Sequence, residues 1–151
     1  MSGGETKSAW VVRSTSSEKP WGDETIWRSP STVSVKTLTL KEGKRNSFKY
    51  NRLKDELLIC AHGRIKAYYG SEPVLGGDGD LQVDELLPGM ALAVQSNCPY
   101  RLEPLTDAIV LEVSTSRVST ADVIRLHDDY GRETEELTPH MDKVVKKWFL
   151  T

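Results

Sequence analysis

The stretch GKRNSFKYNRLKDELLICAHG, residues 43–63, sets its polar side chains at fixed distances between two glycines. Gly43 is followed by five residues, then Lys49-Tyr50-Asn51, four more residues, Glu56, six further residues and Gly63. Inside it, Leu57-Leu58-Ile59-Cys60-Ala61 is a continuous apolar run, which predicts a strand buried on both faces. His62-Gly63-Arg64 turns that strand, and Ile65-Lys66-Ala67-Tyr68-Tyr69 returns it. A second spaced stretch lies downstream, where Gly89 is followed by five residues, then Gln95-Ser96-Asn97, two residues and Tyr100.

Short β-prone runs separated by turns extend on both sides. Thr32 to Leu40 alternates with period two through Val33, Val35 and Leu38, so one face is expected to be buried and the other wet. Leu81-Gln82-Val83, Met90 to Val94, Tyr100-Arg101-Leu102 and Ala108 to Val113 supply further strands, with turns at Pro88-Gly89 and Asn97-Cys98-Pro99. Gly76-Gly77-Asp78-Gly79-Asp80 reads as a loop; it lacks the distal glutamate of a calcium-binding EF-hand. The period then changes. Met141, Val144, Val145, Trp148 and Phe149 form one helical stripe, with Thr138 as N-cap and Pro139 at the first helical position. The expected organisation is an arm over residues 1–17, a β barrel over 18–133 and a C-terminal helix over 134–151 packed on the barrel.

Composition bounds the function. The 151 residues carry 20 Lys plus Arg against 22 Asp plus Glu, a formal net charge of −2, which argues against nucleic acid as the main partner. No apolar run approaches the roughly 20 residues of a membrane span, and the first ten residues lack the order of a signal peptide. A cytoplasmic protein with two reduced cysteines, Cys60 and Cys98, is the expectation. Unpaired sheet edges make a homodimer reasonable.

The two spaced stretches resemble the paired motifs of the cupin superfamily, small jelly-roll barrels. In that family the first motif carries two histidines and a glutamate, and the second a third histidine. Here Lys49, Asn51 and Tyr100 stand at the histidine positions and Glu56 alone is kept. Lys19-Pro20-Trp21-Gly22, the segment from Arg45 to Asn51, and Asp122 to Arg132 are similar to the mannose-6-phosphate isomerase domain of bifunctional bacterial mannose-1-phosphate guanylyltransferases. That resemblance spans about residues 18 to 133. It implies an all-β cupin jelly roll with a short C-terminal α-helix, and a sugar or sugar phosphate as small-molecule partner.

The resemblance also implies a divalent metal such as zinc or manganese that polarises a sugar carbonyl. The residues do not favour one: a protonated lysine has no lone pair, and tyrosine and asparagine are poor ligands for most transition metals. No cofactor is therefore expected. Instead the Lys49 ammonium is expected to take the place of the cation and pair with Glu56, so that Lys49→Ala would loosen the barrel more than Lys54→Ala. Two functions stay open. In one, an isomerase or epimerase-like enzyme uses Lys49, Glu56 and Tyr100 for proton transfer and Arg45, Asn51 and Arg132 to hold the substrate. In the other, a metal-free cupin binds a ligand or a protein without chemistry. Arg45 and Arg132 have a structural alternative, closing the barrel ends against Asp128 or Asp129. His62, His127 and His140 are expected at a turn, in a surface hydrogen bond and in solvent, respectively.

Overall fold

The computed structural model describes residues 6–115 and 122–150. Eleven strands form two antiparallel sheets. The first contains β1 (Thr15–Lys19), β2 (Gly22–Trp27), β3 (Ser34–Leu40), β10 (Ala108–Ser114), β5 (Glu56–His62) and β8 (Ala91–Val94), in that spatial order. The second contains β11 (Val123–His127), β4 (Phe48–Asn51), β9 (Tyr100–Pro104), β6 (Ile65–Tyr69) and β7 (Gln82–Leu86). Strands adjacent in sequence pass repeatedly from one sheet to the other, as in a jelly roll. The inner faces enclose Leu38, Leu40, Leu58, Cys60, Ile65, Leu102 and Val110.

Two glycines permit tight closures. Gly22 lies at φ 152°, and a Cβ there would come within 1.8 Å of the Thr39 carbonyl oxygen. Gly63, at φ 82°, would place a Cβ 2.3 Å from the Asp107 carbonyl oxygen. Only glycine tolerates both the positive φ and the close approach.

A second apolar cluster lies outside the barrel. Helix α1 (Pro139–Phe149) buries Met141, Val144, Val145 and Phe149 against Phe48, Tyr68, Val74, Leu81 and Leu126. Thr138 Oγ1 accepts the Met141 amide at 3.2 Å, which caps the helix as the sequence predicts. The Phe48 and Phe149 ring centroids are 4.9 Å apart. Asp80, in the glycine-rich loop, accepts from Trp148 Nε1 at 2.7 Å and pairs with Lys147, tying that loop to the helix. Among the described residues no helix is long and apolar enough to cross a membrane.

Two strand readings need correction. In β3 the inward residues are Ser34, Lys36, Leu38 and Leu40, while Val33 is 43 % exposed and Val35 half-buried. The strand thus turns a lysine inward and valines outward, because its neighbours offer carboxylates inside the barrel. In β5 only Glu56, Leu58 and Cys60 are buried; Leu57 is 40 % exposed and Ala61 is exposed. The apolar run faces the barrel on one side only, since nothing among the described residues covers the outer face of this sheet at Leu57. Trp10 and Val11 are exposed and lie outside any strand.

Candidate active site

Alternation along four strands brings ionisable groups to one end of the barrel. Glu24 on β2, Lys36 on β3, Glu56 on β5 and Glu112 on β10 all point inward and are 9 % exposed or less. Lys49 on β4 and Tyr100 on β9 reach the same cavity from the opposite sheet, where they are direct cross-strand partners. Lys54 arrives from the β4–β5 turn. Asn51 Oδ1 accepts the amides of Leu53 and Lys54 at 3.0 and 3.1 Å, an Asx-type turn that fixes the start of this connection. Lys49, Asn51, Lys54, Glu56, Tyr100 and Glu112 line a cavity of about 120 Å³, room for a few waters or a small polar group.

The charges interlock. Lys36 Nζ lies 3.0 Å from Glu24 Oε1 and 3.7 Å from Glu112 Oε2. Lys54 Nζ lies 3.6 Å from Glu112 Oε2 and 3.9 Å from Glu56 Oε2. The Tyr100 hydroxyl donates to Glu56 Oε2 at 3.1 Å. Lys49 makes no ion pair within 4.0 Å among the described residues; its Nζ stands 5.1 Å from the centroid of the Tyr100 ring. The expected Lys49–Glu56 pair is therefore replaced. Lys54, which the sequence analysis expected to matter less to the barrel than Lys49, is 5 % exposed and takes that role. The Asx turn at Asn51 and the carboxylates of β5 and β10 draw it inward.

Burial sets the protonation pattern. Desolvation pushes the Glu56 carboxyl up to about 7, reinforced by the Glu112 charge beside it and opposed by Lys54. Desolvation lowers Lys49 to about 8, against the attraction of Glu56 and Glu112. Burial and the two carboxylates raise the Tyr100 phenol well above its ordinary range, so it stays a donor at neutral pH. Glu112 lies below the usual carboxylate range because the Lys36 and Lys54 ammoniums outweigh its own desolvation. One cavity thus holds an ionised carboxylate, a carboxyl and an amine that titrate near neutrality, and a neutral phenol.

This donor set does not fit a divalent metal. Glu56 and Glu112 are already compensated by ammoniums, and the three histidines lie elsewhere. Among the described residues no group of three His, Cys, Asp or Glu is arranged to hold a metal ion.

The two arginines anticipated as substrate ligands lie apart from the cavity lining. Arg45 Nη2 donates to Asp129 Oδ1 at 2.9 Å and to the Phe149 carbonyl at 3.3 Å. Arg132 Nη2 donates to Asp128 Oδ1 at 2.8 Å. These are the pairings with acidic neighbours that the sequence left open as an alternative. His62 is exposed at the end of β5. His127 Nδ1 lies 2.9 Å from Arg101 Nη1, and its ring stacks on Phe149 at 6.0 Å. His140, expected in solvent, is half-buried with Nε2 2.9 Å from the Gly79 carbonyl, because the glycine-rich loop folds back on the helix.

Sequence reasoning missed Lys36, Glu112 and Arg101. The first two carry a signal: Lys36 shares strand parity with Leu38 and Leu40, and Glu112 with Ala108 and Val110. Arg101 is fully buried, with Nε donating to the Asn46 carbonyl at 2.7 Å and its guanidinium 4.7 Å from the Phe149 ring centroid. Its position under the helix has no counterpart in the local pattern of β9.

No family model matches the sequence, and no curated protein sequence does either. Solved structures do resemble the fold. Pac13 of Streptomyces, described as a nucleoside dehydratase, superposes with a TM-score of 0.64 at 13 % identity over 82 % of this chain and 93 % of its own. The capsular polysaccharide assembling protein CapF of Staphylococcus aureus gives 0.64 at 12 % identity, over 79 % of this chain and 32 % of its own. KdgF from Halomonas gives 0.56 at 13 % identity, over 68 % and 86 %. This chain spans about a third of the length of CapF. Its architecture is a cupin barrel, the fold class that the sequence predicts.

Proposed function

We propose that this protein is a metal-independent cupin that holds a small sugar-like or sugar-phosphate-like molecule against the barrel cavity and moves a proton on it. One observation carries the reading: an amine near 8, a carboxyl near 7 and a neutral phenol share a single cavity. General acids and bases work best with such values close to the operating pH. In an aldose–ketose interconversion, the Glu56 carboxylate takes the proton from the carbon beside the carbonyl. The Lys49 ammonium and the Tyr100 hydroxyl donate to the carbonyl oxygen as it gains negative charge. Tyr100 relays the hydroxyl proton between the two oxygens, and Glu56 returns its proton to the neighbouring carbon. The mannose-6-phosphate isomerase resemblance supports this reaction class. Pac13, a nucleoside dehydratase on the same fold, adds a small polyol-bearing substrate by analogy.

A second reading is favoured by the size of the cavity and by its internal compensation, four lysines among three glutamates. In it the protein binds its ligand without chemistry. Incubation with aldoses, ketoses and their phosphates in D₂O containing EDTA separates the two. Deuterium entering the carbon next to the carbonyl supports the isomerase reading. Binding without exchange supports the second, and neither binding nor exchange contradicts both.

A further inference from the structure

Beside the cavity lies a cleft of about 240 Å³ between the β1–β2 edge of one sheet and the β4–β11 edge of the other. Its charged lining is Lys19, Lys49, Arg125 and Arg132 against the single carboxylate of Glu24. Lys19, Glu24, Lys49 and Val123 line both this cleft and the cavity, so the two adjoin.

Two of the cations stand opposite each other in a strand pair. Arg125 on β11 and Lys49 on β4 are direct cross-strand partners in an antiparallel pair. Like charges directly opposite destabilise a sheet. Arg125 is poorly satisfied within the chain. Its Nη1 reaches the Glu133 carbonyl at a long 3.4 Å, and its Nε is buried without a hydrogen-bond partner. A buried guanidinium nitrogen left unpaired is costly. Glu24 cannot supply the missing charge, because its Oε1 is already engaged by Lys36 at 3.0 Å. Arg132 is paired with Asp128, and Lys19 Nζ lies 3.9 Å from Glu24 Oε2, which leaves Arg125 and Lys49 as the cations of this cleft that have no ion pair within 4.0 Å among the described residues. Burial first, then the Arg132 charge, lowers the Arg125 guanidinium against the attraction of Asp128.

We infer that this cleft is an anion seat, in which Arg125 and Lys49, flanked by Lys19, bind a phosphate-type oxyanion. Guanidinium forks match the oxygens of such a group, and Lys49 adds a point charge. The inference rests on the reading above in that the anion becomes the charged end of a ligand whose uncharged part reaches Lys49, Glu56 and Tyr100. Lys49 would then sit where the two ends meet.

Titration of the folded protein with inorganic phosphate at fixed ionic strength, followed by melting temperature and by NMR of the arginine Nε–Hε resonances, tests the seat. Phosphate is expected to raise the melting temperature above matched chloride and to shift the Arg125 resonance. Acetate is expected to act at least tenfold more weakly. Arg125→Gln is expected to weaken phosphate at least tenfold and to melt no lower than wild type in chloride, since the opposed charge is gone. Lys44→Gln, an exposed cation elsewhere, should leave phosphate binding unchanged. Phosphate acting no better than chloride, or binding Arg125→Gln as it binds wild type, would overturn the seat. If Arg125→Gln does not fold, the wild-type resonance shift decides. Failure here with proton exchange into a neutral sugar intact removes only the anion seat. Phosphate binding without proton exchange on any sugar removes only the isomerase chemistry.

Discussion

The Tyr100 hydroxyl donates to Glu56 Oε2 at 3.1 Å across the inside of the barrel, from one sheet to the other. The two residues are 44 apart in sequence and are both buried. In the cupin resemblance both stand at metal-ligand positions. Here a phenol and a carboxyl instead satisfy each other, and three lysines supply the positive charge that a metal would bring.

Tyr100→Phe removes that donor and leaves a buried carboxyl short of one partner. Loss of a buried hydrogen bond of this kind costs about 1 to 3 kcal/mol. Chemical denaturation should show a lower midpoint with unchanged slope. An unchanged midpoint would mean that Glu56 finds another donor.

Lys54 and Lys49 should respond oppositely to truncation. Lys54→Ala strands Glu56 and Glu112, whose nearest compensating ammonium it supplies together with Lys36. Removing one partner of a buried pair costs about 3 to 5 kcal/mol. Lys49→Met removes a cation that lacks an ion pair and keeps its packing against Tyr100, so the loss should stay below about 1 kcal/mol. Thermal denaturation of the two variants gives the order directly.

Stability should pass through a trough near pH 7 to 8. Glu56 is raised from 4.5 to about 7, so the folded protein binds the extra proton and stability falls as pH rises across that interval. Lys49 is lowered from 10.5 to about 8, so the unfolded chain binds the extra proton and stability recovers between about 8 and 10.5. Glu56→Gln should remove the acidic limb of the trough and leave the basic limb. Denaturation midpoints collected from pH 5 to 10 check both limbs.

Phe149→Ala should detach the helix from the sheet. The ring contacts Phe48 and Tyr68, and the Arg101 guanidinium stacks on it. Truncating a buried phenylalanine costs about 3 to 5 kcal/mol, and faster amide exchange across Pro139–Phe149 would locate the loss in the helix.

The barrel and its helix were legible because they depend on local signals: spaced glycines, short apolar runs, and a helical stripe with its cap. Lys49, Glu56, Asn51 and Tyr100 were placed on one lining by the resemblance to the cupin motifs. The charge network was not legible, since it is a property of parity and pairing between distant strands. The alternation of β3 was legible, but Val33, Val35 and Leu38 do not share one parity, and it is Leu38 and Leu40 that mark the inward face carrying Lys36. Lys54 sits in a turn, and only the Asx geometry at Asn51 and the carboxylates waiting inside explain its burial. Arg45 and Arg132 matched a motif, yet Asp128 and Asp129, adjacent in sequence to each other, claim both.

The most direct test is the titration of Lys49 itself, read from its side-chain ¹³Cε chemical shift between pH 6 and 12 and assigned with Lys49→Met. A midpoint near 8 is predicted, with a coupled inflection near 7 that Glu56→Gln abolishes. A single midpoint at the ordinary lysine value of 10.5 would contradict an acid–base cavity in this barrel.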